Sequence, residues 1–480
     1  MAETRYDLAI IGGGPGGYVA AIRAAQRGMR VLLIEGREPG GVCLHAGCIP
    51  TKSLLASADV VRGIQQAIRM GIEAAPGKAS WPAMVGRMRK VVAQSSQGLK
   101  FLLGKNGVEC LRGWARLAGP DRIEVRGDDG AQIREVAQPG AILLATGSRP
   151  IDLPAAPRDG VRILQSQDLL RLEEQPAELV IIGGGYIGCE YATLFSTLGA
   201  RVTVVEGLSR LLPGLDRDLG QALERSMAAR GIQVITGASV ANARADGGTV
   251  EVGLAGGRVL QGSHAVVCVG RIPRLDDLGL ENAGVRFGPR GIEVDGQGWT
   301  NVPGIGAIGD VTGRLPLAHV ASAEARCWVD RWARRRKPGS AQGGPAEDER
   351  WIDYDAVPAC VFTQPEIATA GLSEEAASQR GLDVRIGRFP MGANGKAMAM
   401  GETEGFVKLV AEAGTGRLLG GHIAAAHAAE MIGAVAVALS ARLTVDQLAQ
   451  TVFPHPTLGE AIQEAAESVR GLPIHFYARR

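Results

Sequence analysis

The chain has 480 residues, 46% of them hydrophobic and 21% charged, with a formal net charge of +2. That composition excludes disorder throughout, and a charge so near zero offers no strong field for nucleic acid or an anionic membrane. Glycine stands at 68 residues, about twice a typical ~7% share, and without a collagen period the excess predicts tight turns and close backbone approaches.

No basic, apolar leader opens the chain, and no run of ~18 apolar residues occurs, so neither a signal peptide nor a membrane-spanning helix is expected. The apolar stretch 431–441 is too short to span and reads as a buried helix. Seven cysteines, an odd number spread thinly, argue against a secreted disulfide framework and for a cytoplasmic compartment.

An internal repeat organises the first half. Residues 7–11 read as a buried parallel strand, followed by Gly12, Gly14 and Gly17 in the pattern Gly-x-Gly-x-x-Gly. A helix to about Gly28 and a strand over 30–34 come next, with Glu35 at its end. The plan recurs: residues 179–182, then Gly183, Gly185 and Gly188, a helix to Gly199, and a strand over 202–205 ending at Glu206. In such a unit the first glycine permits the tight turn, the second admits a pyrophosphate to the backbone, and the third lets helix and strand pack closely. The helix N-terminus offers unpaired N–H groups to phosphate, and the acid can accept from a ribose hydroxyl. Two copies predict two dinucleotides; two plain strand–helix–strand crossovers without ligand are the bland alternative.

Cys43 and Cys48 stand unusually close, in Gly-Gly-Val-Cys-Leu-His-Ala-Gly-Cys-Ile-Pro-Thr-Lys. Buried thiols packed as small hydrophobes are one reading. A metal site would want more ligands than His45. A redox disulfide is the third. Five positions along a regular helix rise about 7.5 Å, whereas a disulfide wants Cα atoms within roughly 7 Å. The pair can therefore bridge only if the helix start is distorted, which Gly47 allows. Such a bridge should be easily reduced, and a helix N-terminus should lower a thiol pKa.

This stretch resembles the signature of the class I pyridine nucleotide–disulfide oxidoreductases, and the likeness runs over essentially the whole chain. The resemblance is strongest to the members that oxidise dihydrolipoyl groups. It implies an α/β fold of two Rossmann-like dinucleotide-binding domains plus a C-terminal α+β interface domain. The expected divisions are 1–150 (FAD-binding, first part), 151–275 (NAD-binding), 276–350 (FAD-binding, second part) and 351–480 (dimerisation). FAD would occupy the first glycine motif and NAD the second. Cys43 would exchange with the substrate, Cys48 would lie against the flavin, and Lys52 would sit beside the ring and pair with Glu190. Thr146 and Gly147, in Ala-Thr-Gly-Ser, would mark where the FAD region meets the NAD region, and Gly270 where the chain returns. Asp310 would contact the flavin's ribitol, and the helix starting at Ala318 would bring its backbone to the ring.

Near the C-terminus, His455-Pro-Thr-x-x-Glu460 matches the family's base and the carboxylate that orients it. A thiol must lose a proton before attacking a disulfide, and His titrates in the right range. The resemblance places this His over the partner subunit's cysteines, so a homodimer is expected. The substrate would be a lipoyl-bearing carrier protein or free dihydrolipoamide; another disulfide, or a flavin-bearing scaffold of low turnover, is the alternative. NADP-preferring relatives carry Arg where Glu206 and Leu212 stand here. Other departures are His45, which would tune the site or face solvent, Phe453-Pro454 in place of His-Ala, and Gly306 in place of a frequent Tyr. A charged insert over 331–350 reads as a solvated loop, or else as a docking element.

Overall fold

The computed structural model describes residues 6–75, 77–336 and 351–477. The chain divides into two compact units. One holds Met1–Leu54, Pro82–Ile151 and Gly270–Ile352; the other holds Leu55–Trp81, Asp152–Val269 and Asp353–Arg480. Of the charged insert, residues 331–336 complete the helix Ala318–Arg336, and 337–350 lie outside the described residues.

The first unit is built on a five-stranded sheet in the order Ile305–Ala307, Ile142–Leu144, β1 (Leu8–Ile11), β2 (Val31–Glu35), Glu109–Arg112. Its pairings are parallel. All four residues of β1 are buried, as a strand covered on both faces requires. From β1 the chain runs through α1 (Pro15–Gln26) to β2, then through α2 (Gly41–Ala46) and the start of α3 (Cys48–Gln66). It later returns to the other side of β1 as Ile142–Leu144. The order therefore reverses between β1 and that strand, and the crevice beyond such a reversal is where α/β sheets take ligands.

The second unit repeats the design. Its parallel sheet runs Gln233–Ile235, β4 (Arg201–Val205), β3 (Glu178–Ile182), His264–Val267, Ile163–Gln165, with α4 (Tyr186–Thr197) joining β3 to β4. The reversal falls between β3 and His264–Val267. This unit also carries an antiparallel sheet, in the order Pro358–Val361, Glu366–Gly371, Leu418–Ala425, Phe406–Glu412, Val384–Pro390. Helices Ala428–Ser440 and Glu460–Val469 pack against it. The apolar stretch 431–441 falls on a helix beginning three residues earlier, but only one face of it is buried: Met431, Ile432, Val435, Ala438 and Leu439 are covered, while Val437 is exposed.

The Gly306 departure has a steric cause. A Cβ at Gly306 would stand 2.5 Å from Nε1 of Trp328, whose side chain is fully buried. Trp328 packs against Trp299 in a tilted contact at 4.5 Å and lies 6.3 Å from Trp332 between ring centroids. The indole fills the space a larger residue at 306 would need. Gly306→Tyr should therefore destabilise the protein by about 1–3 kcal/mol, the usual scale of overpacking. Adding Trp328→Ala should recover much of that loss in thermal unfolding. A single variant as stable as the parent would contradict this account.

Candidate active site

The helix carrying the two cysteines is broken between them. α2 ends at Gly47, with φ −151° and ψ −105°, and α3 begins at Cys48. The distortion that a contact required is present, and the two thiols are hydrogen-bonded neighbours. That hydrogen bond, then burial, then the charge on Cys48, push the Cys43 thiol well above its usual range, with Lys52 opposing. This differs from the expected depression of a thiol pKa. Cys48 is the first residue of a 19-residue helix and so lies at its positive end, where the helix dipole favours negative charge. Lys52, one turn on from Cys48, adds a cation on the same helix side.

The segment is also locked to the first glycine motif. The Gly40 amide donates to Gly13 O at 2.7 Å. Gly40 and Gly41 take φ of +118° and +61°, and a Cβ at Gly41 would stand 2.6 Å from Gly14 Cα. His45 is half-buried. Its Nε2 donates to Pro39 O at 2.9 Å, which braces the same turn.

The two glycine motifs agree in detail. A Cβ at Gly12 would meet Ala145 O at 2.4 Å, and one at Gly183 would meet Cys268 O at 2.5 Å. At Gly17 it would strike Gly12 O at 1.7 Å, and at Gly188 it would strike Gly183 O at 2.0 Å. The middle glycines differ: Gly185 has nothing within 4 Å, and Gly14 has only Gly41 Cα at 3.9 Å. These are the open positions a phosphate needs, each capping a 12-residue helix. The acids are held alike. Glu35 accepts from the Gly13 amide and Glu206 from the Gly184 amide, both at 2.7 Å. Their second oxygens accept from Arg37 N at 2.9 Å and Leu208 N at 2.8 Å. Beside Glu35 opens a cavity of about 320 Å³ whose lining includes Leu33, Arg37, Lys100, Leu103 and Arg112, within the size range of ligand pockets. Both motifs fit a dinucleotide.

Asp310 belongs to a network that local motifs did not reveal. Ser148 Oγ donates to Asp310 Oδ2 at 2.5 Å, and Arg271 donates to Ser148 Oγ at 2.8 Å and to its carbonyl at 2.7 Å. Thr146 Oγ1 donates to Arg274 O at 3.0 Å, and Gly147 O accepts from Arg274 N at 2.9 Å. The turn before Asp310 is fixed by Glu324, 2% exposed, which accepts from Gly309 N at 2.6 Å. Glu324 lies on the helix that starts at Ala318. Gly270 takes φ +117° and its carbonyl accepts from Ile151 N at 3.1 Å. In the other unit, Glu190 is buried and accepts from Phe362 N at 3.1 Å.

His455 and Glu460 are brought together. Glu460 Oε1 meets His455 Nδ1 at 2.8 Å, while Oε2 accepts from Thr457 N at 2.8 Å. Burial pushes Glu460 upward, but the Thr457 amide and His455 outweigh it and hold the carboxyl below its usual range. The His455 side chain is 80% exposed, so its outer nitrogen is open to another molecule. Phe453, half-buried against the core beside this loop, lies 3.3 Å from where a Gly459 Cβ would stand.

Comparison with known proteins agrees with this geometry. Residues 6–325 match the pyridine nucleotide-disulphide oxidoreductases, and residues 357–466 match the dimerisation domain of that family. The chain is 41% identical to dihydrolipoyl dehydrogenase of Bacillus subtilis over 472 residues, covering 98% of this chain and 99% of that protein. It is 38% identical to dihydrolipoyl dehydrogenase of Zymomonas mobilis, covering 99% and 100%. Among solved structures, LpdA from Mycobacterium tuberculosis superposes with a TM-score of 0.87 at 33% identity, covering 96% and 98% of the two chains. RclA from Escherichia coli, an HOCl-induced flavoprotein disulfide reductase, gives 0.82 at 28% identity, covering 96% and 99%. The chain belongs to the pyridine nucleotide-disulphide oxidoreductase family.

Proposed function

We propose that this chain is a dihydrolipoyl dehydrogenase, a homodimeric flavoprotein that oxidises dihydrolipoyl groups with NAD+. The observation that carries the reading is the Cys43–Cys48 contact made by the helix break at Gly47. It is supported by likeness over nearly the whole chain to enzymes of that name. The match to a dimerisation domain supports the homodimer. Among the described residues no helix is long and apolar enough to cross a membrane.

In this reading FAD is held by the Gly12–Gly17 loop, Glu35, Thr146, Gly147, Lys52, Asp310 and the helix start at Ala318. NAD is held by Gly183, Gly185, Gly188, Glu190, Glu206 and Gly270. FAD supplies the two-electron link between the cysteine pair and NAD+. The other steps belong to the chain's own residues. His455, steadied by Glu460, takes a proton from the first substrate thiol. The resulting thiolate attacks Cys43 Sγ, the Cys43–Cys48 bond breaks, and Cys48 leaves as a thiolate. The second substrate sulfur then attacks the first, which expels Cys43 and closes the substrate disulfide. The second proton ends on Cys43. Substrate has lost two electrons and the cysteine pair has gained them, with one proton on His455 and one on Cys43.

Glu206 should bond the adenosine ribose 2′-hydroxyl and repel a 2′-phosphate, so kcat/KM should favour NAD+ over NADP+ by about 1–3 kcal/mol. Equal values would remove that role. His455→Ala should retain FAD and lose activity by roughly 10²- to 10⁴-fold, the scale of general-base assistance. If the base serves the partner's cysteines, a heterodimer of one Cys48→Ser chain and one His455→Ala chain holds one intact site. Mixing the two inactive variants should then restore activity; verified subunit exchange with none restored would place the whole site within one chain.

A further inference from the structure

A set of buried charges in the second unit is used by none of these steps. Lys408 stands mid-strand in Phe406–Glu412 and is 2% exposed. Its ammonium donates to Asp216 at 3.1 Å and Asp218 at 3.0 Å, and pairs with Glu374 at 2.8 Å. Asp216, 1% exposed, caps the helix Arg217–Ala229 through Asp218 N at 3.0 Å and accepts from Glu374 N at 3.3 Å. His422 lies 3.9 Å from Asp216, with its own ring nitrogens bonded to Thr369 and Leu372 O. A buried ion pair is weak support for stability, because desolvation cancels most of the attraction; its better-attested use is to specify one arrangement.

The arrangement specified here is the loop 207–216, which leaves Glu206 at the second glycine motif and ends at Asp216. Leu208 N donates to Glu206 Oε1, and Leu212 N donates to Gly184 O at 3.0 Å. Leu211 blocks the Cβ position of Gly184 at 2.5 Å. Leu212 is buried with φ +50°, a backbone state that non-glycine residues take only when their surroundings enforce it. The loop is enforced twice. At its end Asp216 meets Lys408. At its middle Arg210 meets Glu375, at 2.6 and 3.3 Å, while also donating to Pro213 O at 3.3 Å and Leu215 O at 3.4 Å. Glu374 and Glu375 open one short helix that follows Glu366–Gly371 in the antiparallel sheet's sequence.

We propose that Arg210, Asp216 and Lys408 are positioning residues for the nicotinamide dinucleotide, fixing the loop 207–216 to the antiparallel-sheet region so that Glu206, held by the Gly184 amide, presents one geometry to the adenosine ribose. This rests on reading the second glycine motif as the NAD site.

Arg210 and Glu375 are the practical targets, with side chains 25% and 37% exposed; Lys408→Met, which strands buried carboxylates, serves as the stronger variant if it folds. ADP-ribose, which has the adenosine ribose and no reducible nicotinamide, is titrated calorimetrically into the FAD-loaded dimer. Arg210→Gln and Glu375→Gln should each raise its Kd and the KM for NAD+ by roughly 2- to 30-fold, the range of indirect coupling effects. The KM for dihydrolipoamide and the flavin absorbance should stay at parent values. Unchanged Kd and KM for the nucleotide in both variants, beside a parent that binds, would overturn the proposal. So would an equal loss toward both substrates, which is what a merely structural role predicts. A parent that fails to bind ADP-ribose would instead overturn the NAD reading itself.

Discussion

Two sulfur atoms five positions apart cannot meet along an unbroken helix, and the proposed chemistry follows from the way this chain resolves that constraint. The break at Gly47 ends one helix and starts another, so that Cys48 takes the first position of α3 while Cys43 sits on the turn before it. The break fixes which sulfur is which. Cys48 has the helix dipole behind it and Lys52 one turn away, so negative charge is tolerated there. Cys43, whose thiol is pushed up by its hydrogen bond to Cys48 and by burial, sits beside the turn at Gly40 and Gly41 that is locked to the first glycine motif. The dinucleotide loop and the thiol pair are thus one piece of backbone.

The duplicated glycine unit shows how little freedom such a loop has. At Gly12, Gly17, Gly183 and Gly188 a Cβ would meet a main-chain oxygen at 2.5 Å or less, so the turn exists only without side chains. At Gly185 nothing lies within 4 Å of that atom, and at Gly14 only Gly41 Cα at 3.9 Å, so both positions leave the room a phosphate would need. The paired carboxylates are held before any ligand arrives. An amide of the loop fixes one oxygen of Glu35 or Glu206, and an amide two residues on fixes the other. This preorganisation leaves less side-chain entropy to lose on binding.

Much of this was legible in the sequence because it is local. The strands, both glycine motifs and their terminal acids read directly from spacing, and His455 and Glu460 are close enough along the chain for their pairing to be expected. What was hidden depends on residues that the fold brings together from afar. Ser148 and Arg271 directly follow Gly147 and Gly270, yet nothing local says that Arg271 holds Ser148 and Ser148 holds Asp310. Glu324 is one acid on a long helix, and Lys408 one cation on an apolar strand. The Gly306 departure carries no meaning until Trp328 is seen in its place. The thiols show a finer limit. A helix N-terminus argues for a depressed thiol pKa, and only the contact with Cys48, together with burial, pushes Cys43 up instead.

That division of labour between the sulfurs is the centre of the account. A thiolate lying against a flavin gives a long-wavelength absorption band, so two-electron reduction of the FAD-loaded protein reports which sulfur carries the charge. Cys43→Ser should keep such a band yet fail to turn over dihydrolipoamide, whereas Cys48→Ser should have no band. A band that survives in Cys48→Ser and disappears in Cys43→Ser would show that the roles are reversed.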